Sequence, residues 1–368
     1  MPPPPVHPLI EAARRVAADV LEPAAAHVDA SEVPRSHLNA IADAGLLGLL
    51  APVAVGGAGV SAAVFREVTE LLAGADAATW FVQAQHQSVV RMLATSASPA
   101  AAKYLARLVT GELVAGFAFS HLRRYPERPV TARRVAGGWQ LDGVAPWYTG
   151  WSLNDVAFLS GVTDDGDVLF GAVPAVEGGG LGVKTRLRTA ALDAAHTVVL
   201  SLESVVIADD DIALQQPHEQ WLAGDTTVAN ANAAIFGVAH SAVVLLHAAG
   251  AARHEDATIE AAAIFEAELS DVRARCYLLA DAVPANEAME ERLACRAEAL
   301  ELLIAVTSAL VAANAGQGMA LSSAAQRKAR EALFLMVQAQ TRPAREATLR
   351  RWSASGAERA TARKRGRA

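Results

Sequence analysis

The run ELVAGFAFS, residues 112–120, decides how this 368-residue chain is divided, because a helical pattern gives way to strands there. Before it, over residues 7–113, apolar residues recur at the three- and four-residue spacing of amphipathic helices. After it, β-prone runs separated by Gly and Asp turns continue to residue 213, and long helical segments return over residues 221–352. The order is helices, then a β module, then helices.

These segments predict a mainly helical α+β fold. We expect an N-terminal helical domain over residues 1–115, a middle antiparallel β-barrel over residues 116–215, a C-terminal four-helix bundle over residues 216–355 and a basic disordered tail over residues 356–368. Alanine dominates the helical stretches, and it loses no side-chain entropy on entering a helix.

Composition excludes several functional classes. The chain is 52% hydrophobic with a net charge of -7, which gives no general reason to expect nucleic acid. The first residues, MPPPPVHP, lack the features of a signal peptide, and no window reaches 18 uninterrupted apolar residues without charges. Cys276 and Cys295 are interpreted as buried thiols in a reducing cytoplasm. No metal-ligand spacing and no nucleophile elbow motif occur. We therefore expect a cytoplasmic protein with a small-molecule substrate and no membrane, nucleic-acid or metal partner.

Four short motifs occur in a characteristic order. The run AGFAFSHLRR (residues 115–124) precedes WYTG (residues 147–150), and Gly237 is followed sixteen residues later by Arg253. The segment over residues 315–341 then carries AGQG, RE and AQT. In this order the chain resembles the acyl-CoA dehydrogenase superfamily along nearly its whole length. The resemblance implies an FAD-dependent oxidoreductase that forms a homodimer or homotetramer.

The resemblance also implies which residues bind FAD. The turn after the first strand would face the flavin, the Trp of WYTG would lie against the isoalloxazine ring, and the Thr would lie near flavin N5. The Arg would bind the FAD pyrophosphate across a dimer interface. The implied cofactor-binding residues are Phe117, Phe119, Ser120, Trp147, Thr149, Arg253, Gly316, Gln317, Gly318 and Thr341.

Elementary chemistry is consistent with these roles but leaves alternatives open. Trp147 and Thr149 are two residues apart on a strand, so they would share one face; the alternative is a core Trp and a surface Thr. Gly316 and Gly318 would let the backbone approach a cofactor closely, or they would form a helix C-cap and turn. Arg253 would donate charge-assisted hydrogen bonds to a diphosphate, or it would end a helix in solvent.

The residue that usually removes the α proton in the superfamily is missing. The Glu of its E-G-T motif corresponds to Ala339, and an alternative base position corresponds to Thr227. Neither a methyl nor a neutral hydroxyl group accepts an α proton at neutral pH, so the loss should cost about a hundredfold or more in rate. His121 and His86 are the candidate replacement bases, because histidine exchanges protons near neutrality. The alternative for each is a satisfied or solvated side chain.

Three functions follow from these motifs. The first is dehydrogenation of an acyl thioester, with an electron-transfer protein or oxygen as acceptor. The second is a flavin-dependent monooxygenase on the same fold, which needs no α-proton base. The third is a non-catalytic flavin- or acyl-binding subunit. Fold alone does not choose among them.

Overall fold

The computed structural model describes residues 6–365, apart from the side chains of residues 226–227 and 355–365. The chain forms two compact units, Met1–Gly224 and Asp225–Ala368. The first unit holds both the N-terminal helices and the sheet, which the sequence assigns to separate domains. The expectation of a mainly helical protein is confirmed, since 59% of the structure is helical.

Six α-helices form the N-terminal part of the first unit. They are α1 (Pro8–Val16), which continues through a π-helical turn (Ala17–Leu21) into α2 (Glu22–Ala30), then α3 (Arg35–Asp43), α4 (Ala62–Ala75), α5 (Ala77–Ala94) and α6 (Pro99–Val109). Ser61, Asp76 and Ser98 cap α4, α5 and α6 by accepting a hydrogen bond from a first-turn N–H. Helix α5 is buried along most of its length and packs against the first strand of the sheet.

Eight strands follow and form a single sheet. They are β1 (Ala115–Ala118), β2 (Val130–Val135), β3 (Gly138–Tyr148), β4 (Val156–Val162), β5 (Asp167–Pro174), β6 (Leu181–Arg186), β7 (Val198–Ala208) and β8 (Ile212–Pro217). The order of hydrogen-bonded neighbours is β6-β7-β3-β2-β4-β5-β8, with β1 beside β4. Alternate residues of β4 belong to two apolar clusters. Phe158 belongs to the cluster shared with α5 and α6, and Leu159 belongs to the cluster formed by side chains of the other strands.

The predicted middle β-structure is confirmed, but two of its pairings are parallel rather than antiparallel. Strand β1 pairs with the first half of β4, with Ala115 opposite Val156, and β2 meets the end of β4, with Thr131 opposite Val162. The two strands therefore lie one after the other along the same edge of β4. Because the segment between β1 and β2 does not reverse the chain direction, both strands run parallel to β4.

The second unit is a bundle of helices around α10. After the short α7 (His218–Gly224), which ends the first unit, come α8 (Ala233–Arg253), α9 (Asp256–Ala282), α10 (Met289–Ala313), α11 (Ala324–Val337) and α12 (Arg342–Arg365). Helix α10 packs against each of the other four. The backbone of α12 reaches Arg365 where the sequence predicts a disordered tail from residue 356, because Ala, Arg, Lys and Glu favour helix. Residues 366–368 of that tail lie outside the described residues.

Helix α8 is the one helix among residues 6–365 that is long and apolar enough to cross a membrane. Of its most apolar 18-residue window, 61% is buried inside the protein. Such burial is typical of the core helix of a bundle, so the hydrophobicity of α8 is weak evidence for a membrane span.

Candidate functional site

The end of β1 and the end of β3 meet in the first unit. The rings of Phe117 and Phe119 lie 4.7 Å apart, and both are half-buried. The next residue, Ser120, donates a 3.2 Å hydrogen bond from Oγ to the carbonyl of Pro146, which precedes Trp147 on β3. The structure thus brings the first two motifs of the sequence together, with an aromatic pair at the end of β1 and in the turn after it, and an indole on β3.

Trp147 lies on the surface in a strained conformation. Its side chain is 58% exposed and its φ is +61°, in the left-handed region that is costly for a bulky residue. The pairing of β3 with β7 is irregular between Ala145 and Tyr148, so a bulge contains this residue. An exposed indole held by a bulge is a flat apolar surface that a planar ring system could cover.

Thr149 does not share that surface. It is 2% exposed, and its Oγ1 lies 3.1 Å from Oγ1 of buried Thr197. The expectation that Trp147 and Thr149 present a ring and a hydroxyl on one face is therefore wrong, because the bulge breaks the two-residue alternation of the strand. Thr149 instead belongs to a buried polar group in which Asn154 Nδ2 donates to the Thr149 carbonyl and to Tyr148 Oη, at 2.9 and 3.1 Å.

Both candidate bases are buried inside the first unit. His86 on α5 is fully buried, and its Nδ1 accepts a 3.1 Å hydrogen bond from the Ala115 N–H. His121 is fully buried in the turn after β1, with Nε2 3.0 Å from the Ser160 carbonyl. Burial lowers the pKa of His86 to about 4 and that of His121 to about 4. Neither ring reaches solvent, so neither is placed to accept a proton from a substrate.

In the second unit, Arg253 is exposed at the end of α8 and donates from its guanidinium to the carbonyl of Ala313, at the end of α10. An open cavity of about 560 Å³ lies beside it, walled by alanines of α9 and α10 and by Glu255 and Thr258. The wall therefore carries one positive and one negative side chain, together with carbonyls at a helix C-terminus. This mixed charge does not match the positive surface that a diphosphate favours.

The three residues Gly316, Gln317 and Gly318 form part of a 3₁₀ turn, Ala315–Met319, that ends α10. Gly318 is buried and its N–H donates to the Asn314 carbonyl at 3.3 Å, whereas Gly316 and Gln317 are exposed. A Cβ on Gly318 would lie 2.6 Å from the Val311 carbonyl oxygen, and a Cβ on Gly316 would meet nothing within 4 Å. The need for a glycine at position 318 is thus explained by backbone packing at the end of α10.

The expected base position lies at the other end of α11, a helix whose 14 residues span about 21 Å. Ala339 is half-buried with φ +51°, and Arg296 Nη2 lies 2.9 Å from the Gln338 carbonyl and 3.4 Å from the Ala339 carbonyl. Thr341 accepts from the Ala344 N–H through Oγ1, at 3.4 Å, and so caps the start of α12. The side chain of Thr227 lies outside the described residues.

The sequence did not reveal Arg296. It is 4% exposed on α10, and besides the two carbonyls of the loop after α11 it donates to the Val228 carbonyl. Asn232 reinforces the same loop, because its Nδ2 donates to Gln338 Oε1 at 3.1 Å. The available signal was an arginine inside the apolar run LACRAEALELL, where a buried charge requires several acceptors.

Comparisons with known proteins agree with this architecture. Residues 7–112 match the family model described as acyl-CoA dehydrogenase, N-terminal domain. Butyryl-CoA dehydrogenase from Megasphaera elsdenii superposes with a TM-score of 0.76 at 16% identity, covering 92% of this chain and 96% of that chain. The chain has the acyl-CoA dehydrogenase fold. A search of curated proteins found no match.

Proteins with other named activities have the same fold. The electron transferring flavoprotein of Acidaminococcus fermentans matches with a TM-score of 0.80 at 19% identity, over 94% of this chain and 96% of that chain. Dibenzothiophene monooxygenase from Paenibacillus sp. A11-2 matches with a TM-score of 0.77 at 18% identity, over 90% and 93%. At these identities the matches establish the fold of this chain and not its reaction.

Proposed function

We propose that this chain is a flavin-dependent oxidoreductase of the monooxygenase type, which acts without a carboxylate base. The observation that carries the proposal is the environment of the possible bases. Position 339 holds a methyl group, and His86 and His121 are sealed in the interior as neutral rings. A reaction that begins with removal of an α proton has none of these groups to use.

The residues of the first unit fit one face of a flavin in part. The exposed indole of Trp147 would stack on the isoalloxazine ring, with Phe117, Phe119 and Ser120 on the neighbouring segment. Thr149 is not expected to contribute its hydroxyl, which faces Thr197. Reduced flavin, when bound, supplies the electrons and activates oxygen, so the chain's own residues need only bind and orient the substrate.

The identity of the flavin belongs to the same proposal. FAD is the cofactor that the resemblance implies, and a glutaryl-CoA dehydrogenase from Mycobacterium smegmatis has been solved with FADH2, while the Paenibacillus monooxygenase has been solved with FMN. The negative charge of Glu255 and the α10 carbonyls beside Arg253 disfavour binding of an FAD diphosphate at that end of the second unit.

Acyl-thioester dehydrogenation is the second candidate, and two observations favour it. The family model that matches residues 7–112 is that of an acyl-CoA dehydrogenase domain. Among the hydrogen bonds of the described residues, none uses the Ala339 N–H, so that group could still polarise a thioester carbonyl. A different proton acceptor would then be required.

One experiment separates these functions. The purified protein is loaded with flavin and mixed with a panel of acyl-CoAs without oxygen, and in parallel it receives externally reduced flavin, oxygen and the same compounds. We expect the flavin spectrum to stay oxidised in the first arm and oxygen to be incorporated into product in the second. Anaerobic bleaching by an acyl-CoA would establish dehydrogenation instead. Flavin binding with neither response would support the non-catalytic subunit.

Two variants test the flavin surface directly. Trp147→Ala should weaken flavin binding about fivefold or more, because aromatic stacking contributes about 1 kcal/mol beyond burial. Thr149→Val should change flavin affinity by less than about twofold, since its hydroxyl is bonded inside the protein. Titration of flavin fluorescence measures both. Equal losses in the two variants would show that the bulge does not separate these side chains in the holoprotein.

A further inference from the structure

Ser152, His196 and Glu32 lie in contact on three loops of the first unit that the proposed flavin surface does not use. Ser152 Oγ is 3.0 Å from His196 Nδ1, and His196 Nε2 is 3.6 Å from Glu32 Oε2. The order is hydroxyl, imidazole, carboxylate. In that order a histidine can take the hydroxyl proton, with a carboxylate beside its opposite ring nitrogen.

Backbone hydrogen bonds hold the three loops together. The Trp151 N–H donates to the His196 carbonyl at 3.2 Å, next to the serine, and the Gly150 N–H donates to the Ala195 carbonyl at 2.9 Å. The Val33 N–H, next to the glutamate, donates to the Ala194 carbonyl at 3.1 Å. The side chains are thus positioned by the fold and not only by their own contacts.

The serine and the histidine both occupy the left-handed region of backbone conformation. Ser152 has φ +74° and His196 has φ +46°. Such conformations are unfavourable for residues with a Cβ, and they persist only where the surroundings impose them. The fold therefore stores strain at the two residues that would exchange a proton.

The serine is also accessible. Ser152 is exposed, whereas the His196 side chain is only 17% exposed and is thereby restrained. The Leu153 and Asn154 N–H groups both donate to the Gly150 carbonyl, but the Ser152 N–H has no acceptor within the described part of the chain. A free backbone N–H beside the nucleophile is suited to stabilise an oxyanion that develops there.

We propose that Ser152 is an activated nucleophile that accepts the acyl group of small, reactive carboxylic esters. Its Oγ bonds to the carbonyl carbon while its proton passes to His196 Nδ1, and the bond from that carbon to the alcohol oxygen breaks. The proton on Nδ1 then passes to the departing oxygen. Water repeats the sequence at the acyl-serine, releasing the carboxylic acid and restoring the hydroxyl. No oxidant or reductant takes part.

The test measures covalent labelling of the full chain. The protein is treated with a fluorophosphonate, and the modified residue is located by peptide mass spectrometry; separately, release of p-nitrophenol from p-nitrophenyl acetate measures turnover of the acyl group. We expect one label per chain, on Ser152. His196→Gln should slow labelling about a hundredfold, the usual contribution of a general base, and Glu32→Gln should slow it less, because that carboxylate is exposed.

Ser204 provides a matched control. It too is exposed with a left-handed φ, +59°, but its Oγ accepts from Gln140 Nε2 at 3.0 Å and contacts no histidine among the described residues. Ser204→Ala should leave labelling unchanged. Ser152→Ala should abolish it, and Ser152→Gly, which the left-handed backbone accommodates, provides a second variant if the alanine protein folds poorly.

Two results would overturn the proposal. One is labelling of Ser152 no faster than that of Ser204, which would mean that the contact with His196 is only a loop hydrogen bond. The other is unchanged labelling in folded His196→Gln protein. Because the reaction involves no flavin, these outcomes are independent of whether the proposed oxygenation is correct.

Discussion

The first unit should lose stability steeply between pH 6.5 and pH 4 because of His86 and His121. Both rings are fully buried and neutral, and protonation opposes the contacts that each one makes. Nδ1 of His86 accepts from the Ala115 N–H, so a proton there would place two donors face to face. Nε2 of His121 faces the Ser160 carbonyl, so its second proton would go to Nδ1, which has no partner within residues 6–365.

The sign and size of the effect follow from the shifted pKa values. The pKa of each ring is about 4 in the folded chain and about 6.5 when unfolded, so the unfolded chain binds more protons between those values. The stabilisation is fully present above about pH 6.5 and is lost as the pH falls towards 4. At pH 5 each histidine should lower the free energy of unfolding by about 2 kcal/mol, because each pH unit below the unfolded-state pKa contributes about 1.4 kcal/mol.

Urea unfolding at pH 7.5 and pH 5.0 measures this loss. Five of the six tryptophans, Trp80, Trp139, Trp147, Trp151 and Trp221, lie in the first unit, so tryptophan fluorescence reports mainly on it. In His86→Gln the drop in unfolding free energy from pH 7.5 to 5.0 should be about 2 kcal/mol smaller than in the unmodified protein. His27→Gln, which changes an exposed histidine, is the control. Identical pH dependence in all three proteins would refute the assignment.

Two predictions concern the second unit. Gly318→Ala should lower the unfolding free energy by about 1–3 kcal/mol, because the new Cβ would lie 2.6 Å from the Val311 carbonyl oxygen. In Gly316→Ala the new Cβ meets nothing within 4 Å, so the unfolding free energy should change by less than about 0.5 kcal/mol. Arg296→Met should cost about 3 kcal/mol and increase proteolysis of the loop at Ala339, because it leaves buried carbonyls without a donor. Thermal unfolding and limited proteolysis measure these effects, and equal behaviour of the two glycine variants would contradict the packing argument.

The fold was predictable because it depends on periodicity. Apolar residues at helical spacing on either side of β-prone runs indicate the order of elements, and that order does not depend on any single contact. The parallel pairings of β1 and β2 with β4 were not predictable, since they depend on whether the segment at residues 119–129 reverses the chain. No local pattern in that segment records the direction in which the chain leaves it.

The candidate site was less predictable, because several of its features depend on exceptions to local rules. The two-residue alternation that places Trp147 and Thr149 on one face fails at a bulge, where Trp147 takes a left-handed φ. The burial of His86 and His121 comes from packing between α5, β1 and the turn that follows it, not from their sequence neighbours. In each case tertiary contacts set the environment of the side chain, and the local sequence does not record them.

The burial of His86 and His121 is stronger evidence against removal of an α proton than the missing glutamate is. A lost base can be replaced from elsewhere, and an exposed histidine near pKa 6.5 would have been a credible replacement. A ring with a pKa near 4 is a weak base, and one that is also fully buried would have to reach a substrate through the protein core.

A comparison of Ala339→Glu with Ala339→Gln therefore tests whether position 339 lies beside the substrate, because glutamine matches the size of glutamate without its basicity. If only the glutamate variant allows acyl-CoAs to bleach the flavin without oxygen, the loop after α11 adjoins the substrate, and the natural protein has given up proton abstraction there. If neither variant differs from the unmodified protein while flavin remains bound, the correspondence of residue 339 with the superfamily's base is wrong.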